Sequence, residues 1–246
     1  MSYFVSGINA VIENLKRGND IIEILIAKQR KMDRIREILD MAGKKSIPIK
    51  FKERSHLDRI LPNLPHQGII AFLKNYRYFH LDELIKIALE SKGKGLLLIA
   101  DHITDTGNLG ALIRTAEFFG VQGLILPKDR SAFITDTVHR TSAGGSAYLP
   151  VTRVVNLSRT IDQLANNNLW IIGTSEESKT SIYEFDWNRD LVLVMGSEGK
   201  GLSRVVRDKC HHMVSIPGFG QLDSLNVSVA SGVIFSEIVR QRTFTE

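Results

Sequence analysis

Apolar residues recur with two different periods along this chain, and the change between them marks its organisation. Near the start, VSGINAVIENLKRG (5–18) carries apolar residues at helical spacing and ends at Gly18. IIEILIA (21–27) reads as a buried strand, and KMDRIREILDMAGKK (31–45) as an amphipathic helix closing at Gly43. IPIKF (47–51) and GIIAFLK (68–74) are further strands, with a short helix RSHLDRIL (54–61) between them. These elements predict a small α/β domain over residues 1–75. The polar and aromatic stretch NYRYFHLDELIKIALESKGKG (75–95) contains one helical run and reads as a structured linker, 76–94.

From Gly95 onward, short and almost wholly apolar strands alternate with helices. The strands are GLLLIAD (95–101), GLILP (123–127), LWIIGTS (169–175), LVLVMGSE (191–198) and HMVSIPG (212–218). Helices are expected near 108–119, 132–143, 157–167, 203–209 and 226–242. Strands apolar on both faces imply a parallel sheet covered by helices on each side. Ligands of such sheets bind at the carboxyl ends of strands, so the loops after Ala100, Thr174, Met195 and Ile216 are the places to search.

Charge refines this division. Residues 1–75 hold 14 Lys/Arg against 8 Asp/Glu, whereas residues 76–246 hold 18 against 19, so the first third supplies the whole basic excess of the 246-residue chain. A basic module joined to a neutral body suits a polyanion such as nucleic acid, and a solvated basic surface is the plainer alternative. The single Cys excludes a disulfide framework. No apolar run reaches the roughly 20 residues that span a bilayer, and MSYFVSGINAVIENL lacks a signal-type pattern, so a soluble cytoplasmic protein without membrane contact is expected.

Three segments can carry chemistry. DHITDTGNLGALIRTAEFFG (101–120) follows a strand; Leu109, Leu112, Ile113, Ala116 and Phe119 share one helical face, Arg114 lies opposite, and Asn108 stands at the expected N-cap. LVLVMGSEGKGLS (191–203) places Gly196, Gly199 and Gly201 after a buried strand, where bare backbone can grip a ligand. Glu198 sits there as a polar contact or as a partner for a nearby Lys or Arg. In VSIPGFGQLDSLNVSVASGVIFSEIVRQR (214–242), Ser224 or Asn226 can cap a helix whose stripe Val227, Ala230, Ile234 and Ile238 suits a core or a dimer face. No G-x-G-x-x-G, Walker A or G-x-S-x-G pattern occurs. Cys210-His211-His212 lacks a second ligand pair at metal-site spacing, and no metal is expected.

In this order, NLGALIRTA (108–116), VMGSEGKGLS (194–203) and IPGFGQLDSLNVSVASG (216–232) resemble the three motifs of the SpoU (TrmH) branch of the SPOUT RNA methyltransferases. SGINAVIENL, HQGIIAF (66–72) and SAGGSAYLPVTRVVNL (142–157) are similar to the subgroup that 2′-O-methylates a guanosine of 23S ribosomal RNA. The resemblance implies a C-terminal parallel-sheet SPOUT domain with a deep trefoil knot, residues 95–246, preceded by a small α/β ribosomal-protein-like (L30e-like) domain that binds RNA substrate.

The family binds S-adenosyl-L-methionine in its knot and is homodimeric, with the active site at the subunit interface. By position, Thr174, Gly196, Ile216 and Leu225 correspond to its cofactor pocket. Arg114 corresponds to the residue proposed to activate the ribose hydroxyl, and Asn108, Glu198, Ser224 and Asn226 to residues holding substrate or cofactor. Two departures are visible: Thr106 stands where the family usually has Pro, and Ser146-Ala147-Tyr148 replaces the subgroup's acidic residue. Competing expectations are methylation of transfer RNA or of a ribosomal RNA adenosine, and, from another class, a non-catalytic RNA-binding protein retaining the fold.

Overall fold

The computed structural model describes residues 3–28, 33, 35–61, 66–74, 76, 78–197, 199, 201–222 and 224–244, the side chain of Asp136 excepted. The chain divides into two units, residues 1–77 with 134–148 and residues 78–133 with 149–246.

The first unit is built on β1 (Tyr3–Ser6), α1 (Ile8–Lys16), β2 (Ile21–Ala27), α2 (Arg36–Lys44), β3 (Ile49–Lys52), α3 (Arg54–Ile60) and β4 (Ile69–Leu73). Its sheet runs β1-β4-β2-β3, with β4 antiparallel to both neighbours and β2 parallel to β3. The segment read from sequence as one helix over 5–18 splits at Gly7, whose φ of 92° suits glycine alone. Ahead of it, Tyr3–Ser6 pairs with Ile70–Leu73, a partner too distant in sequence for local periodicity to reveal.

The second unit holds α4 (Leu81–Leu89), β5 (Leu96–Ala100), α5 (Thr106–Phe118), β6 (Gly123–Pro127), then, after α6 (Asp136–Thr141) of the first unit, β7 (Val151–Val154), α7 (Leu157–Asn166), β8 (Trp170–Thr174), β9 (Leu191–Met195), α8 (Arg204–Arg207), β10 (His212–Val214) and α9 (Val227–Phe244). Six strands form an all-parallel sheet in the order β10-β8-β9-β5-β6-β7. β5, β6 and β9 are buried at every residue, as expected of central strands covered on both faces. β7 escaped the sequence reading because Arg153 interrupts its apolar run, which an edge strand with a half-exposed face permits.

The domain division differs from that expected. Most of 76–94 is part of the second unit: α4 buries Leu84, Ile85 and Ala88 in the core beside β5 and β6. A Cβ on Gly123 would lie 2.7 Å from Leu84 Cγ, so the helix seats directly on that strand. Residues 134–148 instead join the first unit, where buried His139 bonds through Nδ1 to Ser146 Oγ at 2.7 Å and Arg17 donates to the Tyr148 carbonyl at 3.0 Å. Burial holds His139 neutral, its pKa lowered to about 4. No helix among the described residues is long and apolar enough to cross a membrane.

Candidate active site

The carboxyl end of the parallel sheet gathers most of the residues singled out from sequence. β10, β8 and β9 are successive neighbours, with Val214 opposite Thr174 and Gly173 opposite Val194. Thr174, Gly196 and Ile216 therefore lie at adjacent strand ends, and Thr174 Oγ1 donates to the Val194 carbonyl at 3.2 Å.

Gly196 has no space for a side chain. A Cβ there would lie 2.2 Å from the Gly201 carbonyl carbon, 2.4 Å from its oxygen and 2.5 Å from Leu202 N. The chain closes on itself through Ser197 N–H donating to Gly201 O at 3.2 Å and Gly201 N–H donating to Ser197 O at 2.9 Å. Gly199 and Gly201 take φ of 77° and 61°, a region L-residues avoid. At its described residues Gly196, Gly199 and Gly201 this loop offers a ligand backbone donors and acceptors. Glu198 lies outside the described residues.

Asp101, immediately after β5, is a feature the motif reading passed over. It is wholly buried, with Oδ1 bonded to His102 Nδ1 at 2.5 Å and Oδ2 accepting from Ser203 N–H at 3.0 Å. Its own N–H donates to Met195 O at 2.8 Å. One buried carboxylate thus ties the end of β5 to the far end of the glycine loop, and its hydrogen bonds offset the cost of burying charge. The sequence signal was an Asp directly closing an all-apolar strand.

Asp105, rather than Asn108, is the N-cap of α5, with Oδ1 accepting from Asn108 N–H at 2.7 Å. An acidic cap suits the positive end of the helix and frees the Asn108 side chain. That side chain accepts from Asn226 Nδ2 at 2.8 Å, joining residues 118 positions apart. Asn226 also caps α9, its Oδ1 accepting from Ser228 N–H at 3.0 Å. α9 lies along α5: Phe119 meets Phe235 at 6.2 Å, and a Cβ on Gly232 would be 3.4 Å from Thr115 Cγ2.

Arg114 is not drawn into this cluster. It lies six residues beyond Asn108, about 9 Å along the axis and about 240° around it. Its side chain is exposed and has no hydrogen-bond or ion-pair partner among the described residues. Ser224 is exposed in the segment entering α9, and Leu225 beside it is 49% exposed. Of the expected stripe on α9, Val227, Ile234 and Ile238 are buried and Ala230 half-buried.

Cys210 packs behind β8, where burial, helped by the charge of Asp101, pushes its thiol up to about 12. That excludes a ready nucleophile. His211 Nδ1 accepts from Ile171 N–H at 2.9 Å and His212 stacks on Trp170, so this trio serves packing.

Comparison with known proteins places the arrangement. Residues 95–236 match the SpoU rRNA Methylase family, and residues 4–79 match a domain described as RNA 2′-O ribose methyltransferase substrate binding. A Bacillus subtilis protein named for the TrmH family of tRNA/rRNA methyltransferases, YacO, is 36% identical over 239 residues, covering 97% of this chain and 96% of its own. A Staphylococcus aureus protein of the same description is 40% identical over 238 residues, covering 97% and 96%. The crystal structure of the SpoU methyltransferase AviRb from Streptomyces viridochromogenes in complex with AdoMet superposes with a TM-score of 0.81 at 25% identity, covering 98% of this chain and 90% of that one. The loop closed on Gly196 leaves backbone groups at the strand end, which fits a cofactor gripped by backbone. This chain belongs to the SpoU/TrmH family of RNA methyltransferases, and its cofactor is S-adenosyl-L-methionine.

Proposed function

We propose that the protein methylates a ribose 2′-hydroxyl of structured RNA, with a guanosine of 23S ribosomal RNA as the target nucleotide, in the cytoplasm and as a homodimer. The observation that carries this reading is that the Gly196 loop and the Asn108–Asn226 link both follow the carboxyl ends of neighbouring strands, β9 and β5, which Asp101 ties together through Ser203. Backbone at Thr174, Gly196, Ile216 and Leu225 holds the cofactor, which supplies an electrophilic methyl group and a neutral leaving group. Asn108, Glu198, Ser224 and Asn226 position cofactor and ribose.

A sugar hydroxyl is a weak nucleophile, so the site must orient it, let its proton pass to solvent as the O–CH3 bond forms and the S–CH3 bond breaks, and stabilise the negative charge left on the oxygen by that proton's departure. Arg114 is assigned that task. Its guanidinium stays protonated, with a pKa above about 12, and serves as a planar donor rather than as a base. The homodimer is supported by the outer face of α5, where exposed Arg114 shares its side with Phe118, 79% exposed at the next turn. Such a face suits a second subunit that completes the site.

A trefoil knot in the C-terminal part is assigned by the same reading, supported by a chain that inserts β9 between β8 and β5 and then lays α9 on α5. The N-terminal unit is assigned as the L30e-like RNA-binding module. Arg36, Lys44, Lys52, Arg54 and Lys74 are exposed there without ion-pair partners among the described residues.

Labelled methyl transfer from S-adenosylmethionine to purified ribosomal and transfer RNA, followed by mapping of 2′-O-methyl marks, tests the substrate. Arg114→Ala and Arg114→Lys should each abolish turnover and spare cofactor binding. A near-normal rate in the Lys variant would remove planar, multi-donor recognition from the mechanism.

A further inference from the structure

Beyond these residues, the carboxyl edge of the sheet presents one aromatic surface that the motifs do not include. Phe133 is 56% exposed although the guanidinium of Arg153 lies 3.6 Å from its ring centroid. Arg153, in β7, is itself fixed: Nη2 donates to the carbonyls of Pro127 and Lys128 at 3.4 and 2.5 Å, and Tyr78 lies 5.8 Å from its guanidinium. Its Nε is buried with no hydrogen-bond partner among the described residues. The guanidinium is therefore committed to backing the ring, which is a cation–π arrangement that leaves the rest of the phenyl surface to solvent.

The loop that carries Phe133 also carries Lys128 and Arg130. Both are exposed and without side-chain partners among the described residues. This loop is tied to the first motif: Ala132 N–H donates to Ile103 O at 2.8 Å, and Ser131 Oγ to the same carbonyl at 3.5 Å. Ile103 belongs to the segment between β5 and α5, the helix of Asn108 and Arg114. A single exposed Phe is unremarkable in itself. A rigidly backed one, flanked by free cations and hydrogen-bonded to a motif loop, has the chemistry that single-stranded nucleic acid uses, a stacking plane beside phosphate-binding charges.

We propose that Phe133, backed by Arg153, is a stacking platform for an unpaired base of the RNA substrate, with Lys128 and Arg130 contacting the adjoining phosphates. The assignment rests on the RNA methyltransferase reading above and adds to it a requirement that the RNA be unpaired beside its target. The test uses the full chain and a fluorescein-labelled, mixed-sequence single-stranded RNA 20-mer, compared with the same strand in a perfect duplex, by fluorescence anisotropy. Phe133→Ala should weaken single-strand binding about tenfold, the size expected for one lost base–aromatic stack. It should leave duplex affinity, cofactor affinity and thermal midpoint unchanged, and Phe133→Trp should bind the single strand as well as the wild type.

Single-strand affinity within twofold of wild type in Phe133→Ala overturns the platform and leaves Phe133 as a contact for protein. Equal losses on single strand and duplex overturn it as well, as does a wild type that does not bind the 20-mer. Methyl transfer is scored separately. A wild type that binds the 20-mer through Phe133 and transfers no methyl group to RNA refutes the enzymatic reading while the platform stands.

Discussion

Replacing Gly196 by Ala isolates the proposed cofactor loop from the rest of the fold. The added methyl would sit 2.2 Å from the Gly201 carbonyl carbon and 2.5 Å from Leu202 N, both backbone atoms that no rotamer change can move aside. Reaching an ordinary carbon contact of about 3.5 Å requires the Gly201–Leu202 strand of the loop to retreat by about 1.3 Å. That movement breaks the two hydrogen bonds between Ser197 and Gly201 and stretches the bond from Ser203 N–H to buried Asp101. At about 1 kcal/mol for each neutral bond and about 1.5–3 kcal/mol for the one to a carboxylate, closure of the loop becomes about 3–5 kcal/mol less favourable.

The loop opens at the end of the sheet without dismantling β9, so the cost falls on the binding-competent conformation rather than on global unfolding. At 1.4 kcal/mol per tenfold, calorimetric affinity for S-adenosylmethionine should fall by about two to three orders of magnitude, with a much smaller change in the thermal midpoint. Gly199→Ala is the comparison: its Cβ would meet nothing within 4 Å, and only the φ of 77° opposes it. A cost of about 1–2 kcal/mol follows, and an affinity loss of about five- to thirtyfold. Binding of the Gly196→Ala protein within threefold of wild type, or a larger loss in Gly199→Ala, would refute the role assigned to loop closure.

Two further outcomes follow from buried charge. Burial lowers the His139 pKa from 6.5 to about 4, so the unfolded chain takes up a proton first as pH falls and stability declines between those values. The decline totals about 3 kcal/mol; Asp186 and Glu237, both lowered, add losses only below the ordinary carboxylate range. Urea unfolding at pH 6.5 and 4.5 should show the decline in the wild type and a flatter profile in His139→Gln; identical slopes would exclude His139 as the source. Arg242, lowered to about 10 by burial and still charged at neutral pH, donates to the carbonyls of Lys94, Gly95, Trp187 and Arg189 at 2.7–3.2 Å. Arg242→Ala should cost about 2–4 kcal/mol in urea unfolding at neutral pH, and Arg242→Lys should recover only part, since an ammonium cannot span four acceptors in a plane.

What the sequence made legible depended on whether the responsible interaction was local. β5, β6 and β9 are central strands, buried on both faces, and their unbroken apolar runs say so directly. The glycines at 196, 199 and 201 were equally plain, because Gly196 has no room for a Cβ and Gly199 and Gly201 take positive φ. β1 and β7 were missed because each is defined by its partner, Ile70–Leu73 for one and β6 for the other. Residues 134–148 group with the first unit for the same reason: Tyr148 reaches back across more than a hundred residues to Arg17. The site divides likewise. Motif spacing located Asn108 and Asn226 separately, and only the fold shows them sharing a hydrogen bond, with Asp105 taking over the capping that Asn108 was expected to provide.

That exchange of roles clarifies how one helix serves two purposes. The face of α5 carrying Asn108, Thr115 and Phe119 is turned to α9 and built from contacts that fix position: an amide pair, a close approach at Gly232 and a ring pair. The face carrying Arg114 and Phe118 is exposed, and Arg114 has no hydrogen-bond or ion-pair partner among the described residues. In the proposed mechanism, a side chain that stabilises charge on an incoming hydroxyl gains from being unpaired before substrate arrives, because a resident carboxylate partner would have to be displaced first. It also needs a rigid base, since a misplaced guanidinium loses most of its advantage over water. Packing one face of α5 so firmly while leaving the other unpartnered meets both demands. The Arg114 variants should therefore affect turnover without weakening the fold, whereas substitutions at Asn108 or Phe119 should disturb both.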